Sequence, residues 1–224
     1  VNPLLLAASA FAGWREDAAA ARAACATDPA PCAIVDGLFL RENRAGQTVA
    51  QDWRLAAPAD HPTLTALVLE RLLRERDPAA RRGLADAAVE LLGTAADRGD
   101  PRWDDVWREL VTDPQSDVRA VLVDALRRVP AAVAAPALRA AAAHEDPLTR
   151  ADAARVMGGH EALATFVPDL AALAADPSAD VRQQCARALR RAAGLGPLPP
   201  PAAQALARLE VDADPRTRAA AAPR

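Results

Sequence analysis

The residues of this 224-residue chain best suited to chemistry are two His-Glu pairs, three cysteines and several paired arginines. The pairs are His144-Glu145 and His160-Glu161. Imidazole and carboxylate together suit non-haem iron. Their positions argue against that use: His144 closes a predicted helix, whereas His160 sits in a predicted turn, so the two pairs are not equivalent. The third histidine, His61, precedes a proline at a predicted helix start, beside a cap residue, Asp60. No G-x-S-x-G elbow and no Gly-rich phosphate loop occurs, and the cysteines show no zinc spacing. The expectation is therefore no catalytic residue, no cofactor, no metal and no enzyme.

The arginines offer binding rather than catalysis. Arg127-Arg128 and Arg190-Arg191, with Arg155 and Arg187, end or line predicted helices. Aligned on one surface they could grip an acidic peptide or a phosphate backbone; alternatively each answers the negative end of a helix dipole. All six are candidate partner-binding residues. Every basic residue is Arg, as codon usage in a GC-rich genome produces, and 27 basic residues stand against 30 acidic ones. Nucleic-acid surfaces usually come with a clearly basic balance, so another protein is the expected partner. Trp103 and Trp107 share a helix face and read as core or as an exposed anchor.

These residues must be positioned by helices. Hydrophobic residues make up 51% but aromatics only 3%, and most of the apolar content is Ala, the best helix former. Strand formers are sparse. The pattern predicts helices up to about Ala26, from Cys32 to Glu42 and from Thr63 to Arg76, then helix after helix to the last residues. Gly158-Gly159 reads as a flexible corner, Pro168 as a helix restart, and Gly194 to Pro201 as a stiff polyproline-like connector. No apolar run is long enough to span a membrane. Leu4 to Phe11 reads as the first apolar helix or a signal-peptide core, leaving a bacterial cytoplasmic or an exported, periplasmic location open. Cys25 and Cys32 bracket the first break, as a disulfide or as two buried thiols; Cys185 falls on a core position.

One signal recurs. Asp113 to Leu126 reads DPQSDVRAVLVDAL, and Asp176 to Leu189 reads DPSADVRQQCARAL; shorter versions begin at Asp77, Asp146 and Asp214. The period of roughly 30–38 residues is that of helical solenoids. Each Asp-Pro is expected to cap and open the second helix of a pair. The pattern resembles the HEAT repeat, in the bacterial form of phycobilin-lyase-type proteins. The resemblance implies an all-α, right-handed α-solenoid over residues 59–224, after a helical N-terminal module over residues 1–58; the last repeat, short and without a polar cap, reads as truncated or as a frayed end. It also implies that Asp117 with Arg119, and Asp180 with Arg182, form a structural ladder between repeats. HEAT-like deoxyhypusine hydroxylases resemble the His-Glu pairs but place four of them at equivalent positions. The implied function is a non-enzymatic protein–protein interaction scaffold or adaptor, with its groove lined by second helices. A lyase-like or chaperone-like role on a cofactor-bearing partner protein, and HEAT-like nucleic-acid binding, are the alternatives.

Overall fold

The computed structural model describes residues 14–37, 61–77, 80–85, 87–88, 107–108 and 111–223, and among these every regular element is helical, with no strand. The predicted boundary after residue 58, the segment Leu4 to Phe11 and Trp103 lie outside the described residues. The chain divides into two compact units, Val1–Val106 and Trp107–Arg224.

In the first unit, helices α1 (Trp14–Ala24) and α2 (Ala30–Gly37) both pack on α3 (His61–Arg74). Leu67, Val68, Leu69 and Leu72 of α3 are fully buried, Val68, Leu69 and Leu72 at the i, i+1, i+4 spacing of an amphipathic face and Leu67 widening it. Cys25 and Cys32 are joined by a disulfide, their Cα atoms 6.0 Å apart. Further helix at residues 80–85 follows Asp77, whose carboxylate accepts from the Ala80 N–H (2.9 Å).

The second unit contains α4 (Ser116–Ala125), continued by a 3-10 turn over Leu126–Arg128, then α5 (Ala131–Ala142), α6 (Pro147–Gly159), α7 (Leu163–Leu173), α8 (Ala179–Leu195), α9 (Pro200–Glu210) and α10 (Pro215–Ala221). The helices pair as α5 with α6, α7 with α8, and α9 with α10. Like stacks on like: α4, α6, α8 and α10 form one row, and α5, α7 and α9 another. The core between the rows is Leu, Val and Ala, with Trp107, Met157 and Phe166 also buried, and the Cys185 thiol among them. Pro136 and Pro168 each fall six residues into their helices, α5 and α7. Pro168 thus lies inside a helix that starts at Leu163, where the sequence predicts a restart. Gly158 and Gly159 likewise belong to the last turn of α6. A Cβ on Gly158 would meet the Ala188 Cβ at 2.6 Å, so glycine there lets α6 and α8 touch backbone to side chain. The polyproline stretch is shorter than predicted, because α8 runs to Leu195 and Pro200 already opens α9.

An arginine near the start of each helix in the row α4, α6, α8, α10 fixes how the pairs stack. One nitrogen of its guanidinium turns back on its own corner: Arg119 to the Asp113 carbonyl (2.6 Å), Arg150 to His144 and Glu145 (2.9 and 2.7 Å), Arg182 to Asp176 and Pro177 (3.0 and 2.9 Å), Arg218 to Asp212 and Ala213 (2.6 and 2.9 Å). The remaining fork reaches the next corner. Arg150 holds Asp176 bidentately (2.7 and 3.0 Å), Arg182 holds Asp212 in the same way (2.7 and 3.0 Å), and Arg119 bonds Asp146 and the Thr149 hydroxyl.

Arg119 and Arg182 thus meet Asp146 and Asp212 of the next corner, and not Asp117 and Asp180. Residues two apart on a helix point to opposite sides. Arg119 and Arg182 turn inward, leaving Asp117 and Asp180 exposed in the first turn, where Asp180 meets Arg216 (3.1 Å).

Aligning the arginines also shows that Asp-Pro occupies two registers. Asp146 and Asp214 cap their helices, accepting from Leu148 N–H (3.0 Å), and from Arg216 and Thr217 N–H (both 2.9 Å). Asp113 and Asp176 stand two residues earlier and accept from Gln115 and Ser178 N–H (2.9 and 2.8 Å), so the cap positions there are Gln115 and Ser178. His144 occupies the earlier register in its corner, its Nδ1 accepting from Asp146 N–H (3.0 Å).

Candidate functional site

Helix α8 buries Val181, Cys185, Ala186, Ala188, Leu189 and Ala192. That leaves Arg187 and Arg191, one turn apart, on its exposed side. Arg190 is half-buried. Its Nε donates to the Ala221 carbonyl in the last turn of α10 (2.7 Å), and its Nη2 meets Glu210. Arg191 Nη1 donates to the Gly158 carbonyl in the last turn of α6 (3.0 Å). Cations at helix C-termini are favourable because unsatisfied carbonyls collect there. These two arginines thereby tie α8 to its neighbours on both sides.

Between α8 and α10 lies an open cleft of about 940 Å³. Among the described residues its charged lining consists of Arg187, Arg190, Arg191 and Arg216, with no carboxylate. Gln183 is its other polar side chain, and Ala193, Ala219, Ala220 and Pro223 supply small apolar surface. Arg216 reaches Asp180 (3.1 Å) and Asp214 (3.6 Å). Arg187 has no hydrogen-bond or ion-pair partner among the described residues, and Arg191 meets only a neutral carbonyl.

The six arginines singled out from the sequence are therefore divided. Arg187, Arg190 and Arg191 share the cleft. Arg127 and Arg155 lie on the preceding helices and converge on Asp124 (2.8 and 2.9 Å), Arg155 also holding Asp152 (3.0 Å). Arg128 is exposed nearby. Sequence reasoning missed Arg216, which belongs to no arginine pair and follows Pro215 at the start of the last helix. Its signal was the position two residues before the ladder arginine, where the previous repeat carries Asp180.

His144 and His160 are tied to backbone. Buried His160 lies 2.9 Å from the Val129 carbonyl through Nε2 and accepts from Ala162 N–H at Nδ1 (3.0 Å), which makes Nε2–H the donor. Its ring meets the Phe166 ring edge-on, centroids 5.1 Å apart. The His61 and Asp60 side chains lie outside the described ones. No group of three or more His, Cys, Asp or Glu among the described residues could hold a metal ion. No helix among them is long and apolar enough to cross a membrane. Trp107 is buried, 2% exposed. Compared with known proteins, the chain matches no family model, no curated protein and no solved structure.

Proposed function

We propose that the second unit is a HEAT-like α-solenoid segment and that the chain is a non-enzymatic scaffold for another protein. Its binding surface is the row α4, α6, α8, α10. The observation that carries this reading is like-on-like stacking held by arginine forks from one corner to the next. Such stacking makes a continuous surface from residues far apart in sequence, with each pair contacting only its neighbours. A preorganised surface loses little freedom on binding. The arginines concentrated on this row add a recognition chemistry that the Ala-rich row α5, α7, α9 lacks, with Arg139 and Arg208 its only arginines.

The test is site-specific photocrosslinking in the cells that make the protein. A benzophenone amino acid replaces Leu148 or Gln184 on the second-helix row, or Ala172 or Ala207 on the other. Adducts with a discrete second protein are expected from Leu148 or Gln184 and not from Ala172 or Ala207. Adducts confined to the first-helix row, or none from any site, would refute the proposal.

A further inference from the structure

Building on the scaffold reading, we infer that the α8–α10 cleft is a docking site for a short acidic segment of the partner protein, whose carboxylates pair with Arg187 and Arg191. Three observations point to this occupant.

The first is uncompensated charge. Arg187 and Arg191 are four residues apart on α8, about 6 Å along the axis. Like charges at that spacing repel on a helix. The neighbouring arginines, Arg190 and Arg216, have carboxylates at hand in Glu210, Asp180 and Asp214. Among the described residues Arg187 and Arg191 have none. A carboxylate placed between them would remove the repulsion and accept hydrogen bonds from planar forks made for it.

The second is the surface between the charges. Ala193, Ala219, Ala220 and Pro223 offer small apolar contact, which suits the methylene stem of a glutamate better than a sugar–phosphate backbone. The third is the length of the basic surface. Nucleic acid is held by a track of cations that follows its backbone. Here the track stops, because Arg127 and Arg155 on the preceding helices are already engaged by Asp124 and Asp152. With a net charge of −3 for the whole chain, a long polyanion is repelled where a short acidic stretch is not.

The experiment measures fluorescence anisotropy of labelled oligoglutamate on the intact protein at low and physiological salt, beside oligoglutamine and oligothymidylate of matched length. Oligoglutamate is expected to bind and oligoglutamine not to. Arg187→Glu with Arg191→Glu should weaken binding by about tenfold or more, the scale of two charge-assisted contacts. Arg187→Glu alone breaks no internal bond and should weaken it by several-fold. Arg128→Glu, the same charge reversal outside the cleft, should change it less than about twofold. Helicity by circular dichroism should stay unchanged in each variant. The inference is overturned if oligoglutamate does not bind, if Arg128→Glu weakens it as much as Arg187→Glu, or if oligothymidylate binds as tightly. Any of these leaves the photocrosslinking result untouched, so the cleft chemistry and the scaffold reading stand or fall separately.

Discussion

Replacing Arg182 by alanine tests the claim that arginine forks hold the helix pairs together. The wild-type side chain makes two charge-assisted bonds to Asp212 and two to the Asp176 and Pro177 carbonyls. The two side chains are 19% and 11% exposed. The pair therefore lies between exposed ion pairs, worth about 0–1 kcal/mol, and buried ones, whose disruption costs about 3–5 kcal/mol. Asp212 keeps the Asp214 N–H (2.8 Å), and the corner carbonyls can recover water, so the expected loss is about 2–3 kcal/mol. Arg218 supplies the internal control. It makes the same carbonyl contacts but is exposed, and its fork holds no carboxylate among the described residues. Arg218→Ala should cost only about 0.5–1 kcal/mol. With a urea slope of about 1.5 kcal/mol/M, the unfolding midpoint followed by circular dichroism should fall by about 1.5 M for Arg182→Ala and about 0.5 M for Arg218→Ala. Arg182→Lys keeps the charge but not the planar fork, and should recover little. Equal midpoints for Arg182→Ala and Arg218→Ala would refute the reasoning.

The same forks predict a pH dependence. Arg182 and the Asp214 N–H, against burial, hold the Asp212 carboxyl below its ordinary range. At Asp176, burial pushes upward and is outweighed by Arg150 and the Ser178 N–H; at Asp146, burial is outweighed by the Leu148 N–H, Arg119 and Thr149. The folded chain then binds fewer protons than the unfolded one below about pH 4, so stability is full above that value and falls as pH drops through the folded pKa values. A urea midpoint that is flat or rises on acidification contradicts this, and Arg182→Ala should shallow the fall. His144→Asp puts a carboxylate in the register that Asp176 and Asp212 occupy, within reach of the Arg119 fork; a gain of about 0.5–1 kcal/mol in urea unfolding is expected, and a loss would show that the imidazole matters there. Gly158→Ala drives a methyl into Ala188 and should cost about 1–3 kcal/mol, read as a lower thermal midpoint; an unchanged midpoint would mean that the two helices separate freely. Thiol titration in denaturant without reductant should find one thiol, and three after reduction. In the native protein that thiol, Cys185, is pushed up to about 12 by burial and then by the Asp176 charge, so it should resist disulfide reagents at neutral pH.

Much of this was legible in the sequence. The Ala-rich composition and the Asp-Pro corners foretell helices and where they break, because both are local chemistry. Register was not legible. An Asp before Pro serves equally as a helix cap, at Asp146, or two residues earlier, at Asp176, and only the arginine contacts, which span the fold, tell the two apart. The acids were out of reach for the same reason: Asp117 and Asp180 are near Arg119 and Arg182 in sequence, while the carboxylates that those arginines meet, Asp146 and Asp212, are near them in space. Gly158 shows the limit from another side, since paired glycines signal a bend locally but here answer a close approach by Ala188. The cleft was half visible. The arginines of α8 stand out as a cluster, while Arg216 joins them only once α10 packs on α8.

The arginine clamp acts as a gauge inside each corner and leaves the stride between corners open. Its inner contact is always to the carbonyl six residues back, at Arg119, Arg150, Arg182 and Arg218 alike. Its outer contact reaches an aspartate 27, 26 or 30 residues ahead. A chain built this way can gain or lose a few residues in its connectors, as around the proline run before α9, and still bring the next pair into phase. Loop grafts and whole-repeat insertions should therefore be spliced into the connectors, with the seven residues from corner carbonyl to arginine carried as one indivisible cassette.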